Sequence, residues 1–163
     1  MKIALSTDHA GFGQLKELQK YLEDLGHECH YFGPAAFSGD DDFPDFIKPA
    51  ARAVAEGACQ RGLILGGSGQ GEAMVANRLA GVRCAVYYGP AVPKRPIDST
   101  GRTSTDSFSI IRLSRQHNDA NMLSLAARFL DIPQMKAVVK LWLETDFAGG
   151  SNYKRRIAEM DGD

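Results

Sequence analysis

With 163 residues, 44% of them hydrophobic and 24% charged, the chain has the length and composition of one soluble globular domain with a sizeable core. A formal net charge of −1 gives no global argument for nucleic acid or a membrane as partner. The opening apolar run, Met1 to Ser6, is too short for a signal-peptide core, and no stretch approaches the length of a membrane span, so a cytoplasmic location is expected.

In chain order, Lys2 to Ser6 reads as a short buried strand ending in the polar turn Thr7-Asp8-His9-Ala10-Gly11. Leu15, Leu18, Leu22 and Leu25 then recur at helical spacing until Gly26 stops the run. A second strand, about 27–32, leads into an acidic loop with Asp40, Asp41, Asp42 and Pro44. Phe46, Ile47, Ala50, Ala51, Val54 and Ala55 stripe the next helix. Leu63-Ile64-Leu65 is the third strand, followed at once by a glycine cluster, a helix at about 71–79 and a fourth strand at 82–87. Pro90, Pro93, Pro96 and Gly101 mark a long irregular segment reaching about Ser109. Helix and turn character returns over 114–121, and 122–126 is a fifth strand. Met135, Val138, Val139 and Trp142 define a last long helix, and a basic tail with Lys154, Arg155 and Arg156 follows Gly149-Gly150.

Apolar strands alternating with helices predict a parallel sheet covered on both faces. Ligands of such folds sit beyond the carboxyl ends of the strands. Asp8 and His9 after the first strand, and Gly66 to Glu72 after the third, are placed there. Cys29, Cys59 and Cys84 are odd in number and lack C-x-x-C spacing, so they read as reduced, mostly buried thiols. His27, Cys29 and His30 do not make a metal set, because on an extended chain 27 and 29 share one face and 30 takes the other. No metal or cofactor is expected.

Gly66-Gly67-Ser68-Gly69-Gln70-Gly71-Glu72 joins a buried strand to a helix. Its glycines let backbone N–H groups approach a ligand, and the helix start favours an anion or a developing oxyanion. The Lys-Ser/Thr pair of a P-loop is absent, and a dinucleotide fingerprint would follow the first strand with other spacing. From the residues alone, the cluster also reads as a plain turn, Glu72 as a first-turn carboxylate, Asp8 as a turn residue and His117 as a surface helix histidine.

Asp8-His9-Ala10-Gly11, the 66–72 cluster, Ala76-Asn77-Arg78, the Asp42-Phe43-Pro44-Asp45 turn, Ser114-Arg115-Gln116-His117-Asn118-Asp119-Ala120-Asn121 and Arg155-Arg156 occur in one order. Together they resemble the type B ribose-5-phosphate isomerase and galactose-6-phosphate isomerase subunit family, over nearly the whole chain except about 89–111. The resemblance implies a single isomerase domain over 1–163. Its fold would be a Rossmann-like three-layer α/β/α sandwich with a five-stranded parallel sheet. It would act on a sugar phosphate as a homodimer with sites at the interface, tetramers left open. One kind in the family has a cysteine base where this chain has Gly66. The other has a glutamate where this chain has Glu72, and the sequence resembles the glutamate kind.

Under that resemblance ribose 5-phosphate and ribulose 5-phosphate interconvert through an enediolate. Glu72 is the base, and its helix start favours the carboxylate while burial disfavours it. Backbone N–H groups of Gly67, Ser68, Gly69, Gln70 and Gly71 hold the enediolate oxygens, and the Ser68 hydroxyl shuttles a proton between them. His117 is the ring-opening acid assisted by Asp8, with Asn118 beside it in the substrate site. His9, Arg128 and Arg156 hold the phosphate. A further family arginine, a few residues before Arg156, falls at Asn152 here, and Phe43 stands where many relatives have tyrosine. The 89–111 insertion carries Lys94, Arg95 and Arg102, and reads either as a lid that replaces the missing phosphate contact or as a solvated arm. The alternatives are an isomerase of another aldose phosphate, a tetrose or hexose, and a non-catalytic sugar-phosphate-binding protein of the same fold.

Overall fold

The first strand shows why this sheet is covered on both sides. In β1 (Lys2–Thr7) every residue after Lys2 is buried, so side chains on both faces of the pleat need apolar neighbours. The computed structural model describes residues 1–162. The remaining strands are β2 (Glu28–Tyr31), β3 (Arg61–Gly66), β4 (Cys84–Tyr87) and β5 (Met122–Ala126). The helices are α1 (Phe12–Asp24), α2 (Phe43–Ala55), α3 (Gln70–Ala76), α4 (Ser109–Gln116), α5 (Ile132–Glu144) and α6 (Ser151–Asp161), with a short 3-10 turn at His9–Gly11.

All strand pairs are parallel, in the order β2-β1-β3-β5-β4. The fold is therefore the expected α/β sandwich. Strand alternation sorts its two cores. Ile3, Leu5, Leu63, Leu65, Leu123 and Leu125 face α1 and α5, packing on Leu15, Leu18, Leu22, Met135, Val138 and Trp142. Ala4, Ile64 and Met122 face α2 and α3, packing on Ile47, Ala50, Ala51, Val54 and Ala76. The chain leaves β1 towards β2 on one side and reaches β3 on the other, so the crevice at a topological switch point opens between the ends of β1 and β3. Asp8 and the glycine cluster flank that crevice.

Several local readings shift. The helix after the glycines starts at Gln70 and stops at Ala76, and β4 begins at Cys84 rather than at 82. Helix α4 starts at Ser109 and ends at Gln116, ahead of the expected 114–121, because Asp106 organises its entry. Its carboxylate accepts from the Phe108 N–H at 2.9 Å and from Arg112 Nε at 2.9 Å. The basic 150–160 segment is helical, running from Gly150 to a left-handed Gly162 (φ +94°), and it buries no residue. Of the three free cysteines only Cys59 is buried; Cys29 and Cys84 are half-buried. Among the described residues no helix is long and apolar enough to cross a membrane.

Candidate active site

The turn after β3 is shaped by two close approaches. Gly69 has φ +73° and lies against β5; a Cβ there would meet Ser124 Oγ at 2.9 Å and the Leu125 carbonyl at 3.2 Å. Ser124 Oγ donates to the Gly69 carbonyl at 2.7 Å and fixes the turn. The second approach is at Gly66, where a Cβ would lie 1.9 Å from Glu72 Cδ and 2.0 and 2.2 Å from its two oxygens. The Glu72 side chain, in the first turn of α3, thus folds back over β3 into the space a side chain at 66 would fill. Residue 66 must be glycine for the carboxyl to sit there.

Glu72 is 5% exposed. Burial raises its pKa above the ordinary glutamate value, and the nearby Asp8 charge adds to that; its own backbone N–H and His9 pull the other way. Burial thus makes it a carboxyl that takes up a proton readily, as a general base requires.

Asp8 is buried and caps the 3-10 turn, its Oδ1 accepting from the Ala10 N–H at 2.9 Å. His9 Nδ1 lies 2.6 Å from Asp41 Oδ1 and 3.7 Å from Asp8 Oδ2, and the His9 N–H also donates to Asp41 Oδ1 at 3.2 Å. The Asp41 hydrogen bond is the main reason the His9 pKa is raised, and Asp8 contributes; burial and Arg128 oppose it. Asp8, His9 and Asp41 have ligand atoms within 4.8 Å of one another. With Nδ1 bonded to a carboxylate, the trio suits a protonated imidazole. Arg128 follows β5, and its N–H donates to the Gly67 carbonyl at 3.1 Å. A Cβ on Gly67 would meet its guanidinium at 3.4 Å, so Arg128 roofs the glycine turn. It is exposed and forms no ion pair among the described residues, which leaves its fork open to an anion. Ser68 and Gln70 are exposed at the tip of the turn, with Ser68 Oγ 3.4 Å from the Gln70 N–H, and Gly71 lies under the Phe43 ring.

His117 stands elsewhere. It ends α4 and stacks on Tyr153 of α6, ring centroids 4.4 Å apart and planes 15° off parallel. Burial lowers its pKa, as do the charges of Arg102 and Arg156, while Asp98 raises it. Asn118 is exposed next to it, lining a cleft of about 440 Å³ with Arg83, Cys84 and Met160. The charges acting on Glu72 are Asp8 and His9; those acting on His117 are Arg102, Asp98 and Arg156. The two sets share no member. The predicted residues thus come from two sets of elements: Asp8, His9, Gly67–Glu72 and Arg128 from the ends of β1, β3 and β5, and His117, Asn118 and Arg156 from the end of α4 and from α6, with Cys84 between them, lining the Asn118 cleft and feeling the Glu72 charge.

Sequence reasoning missed Asp41 as the partner of His9 and Tyr153 as the support of His117. The acidic triplet Asp40–Asp42, falling beyond the end of β2, was the available signal for the first. Nothing in the sequence signals the second.

Comparison with known proteins decides the family. The sequence model described as Ribose/Galactose Isomerase matches residues 3–95 and 103–160. The chain belongs to this isomerase family. Membership makes it an enzyme, and curated relatives agree. The chain is 32% identical to the ribose-5-phosphate isomerase B of Escherichia coli over 154 residues, covering 94% of this chain and 91% of that one. It is 30% identical to that of Mycobacterium tuberculosis over 158 residues, with coverage of 96% and 86%. Among solved structures, ribose-5-phosphate isomerase B of Clostridium thermocellum superposes with a TM-score of 0.83 at 31% identity, covering 99% of this chain and 95% of that one. The Mycoplasma genitalium enzyme of the same name, solved with bound ribulose-5-phosphate, gives 0.83 at 27% identity, with coverage of 98% and 93%.

Proposed function

We propose that this family member interconverts ribose 5-phosphate and ribulose 5-phosphate in the cytoplasm, with Glu72 as the base. The observation that carries the reading is the buried Glu72 carboxyl, folded over Gly66 at the edge of a glycine turn and roofed by an unpaired arginine. The relative solved with ribulose-5-phosphate supports the choice of sugar.

The chemistry follows from the groups present. Glu72 removes the proton from C2 of the opened aldose and returns it to C1, so one carboxyl serves both transfers. The electron pair left by the C2–H bond forms the enediolate, whose oxygens face the N–H groups of residues 67–71. Ser68 Oγ, exposed at the tip, moves a proton between O1 and O2. Positive charge from His9 and Arg128 meets the phosphate.

Ring opening needs an acid, and His117 lies among a different set of charges from Glu72. A homodimer resolves this: His117 and Arg156 of a second copy complete the pocket of the first. Helix α6 supports that reading, since all of its 11 residues stay unburied in the single chain and Tyr153 ties it to His117. Exposed Met74, Tyr88, Ile110 and Met160 supply apolar surface for such a contact. A second reading, an isomerase of a tetrose or hexose phosphate, is favoured by Asn152, which removes one family arginine.

The test is an isomerisation assay on a panel of aldose phosphates with native protein and Glu72→Gln. Turnover of ribose 5-phosphate that falls by about a thousandfold or more in the variant supports the assignment, that being the scale of a lost general base. Native turnover that survives the substitution ends it, and faster turnover of a tetrose or hexose phosphate would install the second reading.

A further inference from the structure

Between its two segments the family match passes over residues 96–102, and that stretch folds into one tight turn near His117. The Ile97 N–H donates to the Arg102 carbonyl at 2.7 Å, and Gly101 takes the φ of +83° that the closure needs. Asp98 fills the inside. Its Oδ1 accepts from the Thr100 hydroxyl at 2.6 Å, the Thr100 N–H at 3.0 Å and the Arg102 N–H at 3.3 Å, while Oδ2 accepts from Arg102 Nε at 2.8 Å. These bonds, the Thr100 hydroxyl first, hold the Asp98 carboxyl down to about 2, so the anchor stays ionised at neutral pH. Among the described residues the two terminal amines of Arg102 have no partner. An arginine gripped at Nε, with its outer edge open, is a fork already aimed at an oxyanion.

The place it occupies matters as much as its shape. Arg102 lines a cavity of about 140 Å³ with Arg112, Leu113 and Gln116, on the last turn of the helix that ends in His117. From the other side α6 brings Tyr153 onto His117 and Arg156 one turn further on. Arg102 and Arg156 both lower the His117 pKa by their charge. Two guanidinium groups thus face this histidine against the single carboxylate of Asp98. Asn152 stands four residues before Arg156, on the same face of α6, where the resemblance places an arginine.

We propose that Arg102, carried on the inserted turn and oriented by Asp98, is a phosphate-binding residue of the His117 half-site and takes over from the arginine the chain lacks at Asn152. The inference rests on the sugar-phosphate reading above and specifies which groups grip the phosphate.

Arg102→Ala should raise KM for ribose 5-phosphate about tenfold and weaken competitive inhibition by inorganic phosphate in parallel, with kcat within about twofold, as expected for a lost charge-assisted contact. Arg102 is half-exposed, so the variant should keep its fold. Asn152→Arg added to Arg102→Ala should bring both constants back towards native. An unchanged KM and phosphate constant in the single variant overturns the proposal. So does a raised KM that Asn152→Arg fails to rescue, since that assigns Arg102 to the shape of the loop. Should native protein isomerise no aldose phosphate, the functional reading falls, and calorimetry with inorganic phosphate still judges Arg102. Binding that is absent, or equal in native and variant, overturns the proposal; binding that weakens in Arg102→Ala sustains it.

Discussion

The two groups of site residues are built by opposite means. Around Glu72 every functional side chain leaves the carboxyl end of a buried strand or a turn tied to one: Asp8 after β1, the glycines after β3, Arg128 after β5. Around His117 the support is a histidine–tyrosine stack, a turn held by its own hydrogen bonds, and a helix with no buried residue that is tied at its end by the Arg83–Asp161 ion pair. The first half inherits its geometry from the sheet. The second is peripheral, and elements with few buried contacts are the ones that adjust most cheaply. On the proposed reading, the proton transfers fall to the rigid half, and the phosphate is met from both, by His9 and Arg128 on one side and Arg102 and Arg156 on the other.

That contrast breaks most clearly at Gly66. A methyl group there cannot coexist with the Glu72 carboxyl, since the added carbon would fall 1.9 Å from Cδ. Gly66→Ala should displace the base and cut kcat about a hundredfold or more, with about 1–3 kcal/mol of overpacking strain. Gly13→Ala, in an exposed stretch of α1 where a Cβ meets nothing within 4 Å, is the control. It should leave turnover alone and add up to about 1 kcal/mol of stability through helix propensity. Equal kinetics in the two variants would show that the carboxyl need not occupy the space over Gly66.

The same contrast decides what could be read in the sequence. Strand β5 runs from Met122 to Ala126 as expected, because an apolar run between polar turns can only be buried. The glycine turn was legible for a similar reason: glycines at that density after a buried strand have few other uses. What escaped were relations between distant segments. Glu72 folding over Gly66 needs the actual path of α3, and Asp41 meeting His9 joins loops 32 residues apart. Helix α4 was misplaced because its start is set by Asp106, a loop residue, rather than by its own apolar spacing. The basic 150–160 segment looked like a tail because no apolar stripe marks it, and its tethers, Tyr153 stacked on His117 and Asp161 paired with Arg83 at 2.7 Å, are long-range contacts that no periodicity announces.

A smaller effect sharpens the peripheral half. The His117 pKa is lowered by burial and then by Arg102 and Arg156. A depressed imidazole pKa leaves the ring mostly neutral at pH 7, the wrong state for an acid. A phosphate bound to those arginines cancels the repulsion, so substrate itself should protonate the acid. An NMR titration of His117 should show its midpoint rising when inorganic phosphate is added, and rising in Arg102→Ala without phosphate. A midpoint indifferent to both would mean the arginines do not govern the ring.

The smallest effect belongs to Asp41 and runs the other way in pH. Its bond to Nδ1 is the chief reason the His9 pKa is raised. A raised pKa means the folded protein binds that proton more tightly than the unfolded chain. The stabilisation is complete below the ordinary histidine value of about 6.5 and is lost as pH climbs through the folded-state value. Asp41→Asn removes the negative partner while keeping an acceptor, so the His9 midpoint should fall towards its ordinary value. At pH 6, where the ring remains largely charged, KM for the sugar phosphate should change little. Towards pH 7.5 it should rise more steeply in the variant than in the native protein, because the native imidazole holds its charge for the phosphate to higher pH. A KM that shifts equally at both pH values would reduce Asp41 to a brace for the loop, and the charge on His9 would have no part in binding.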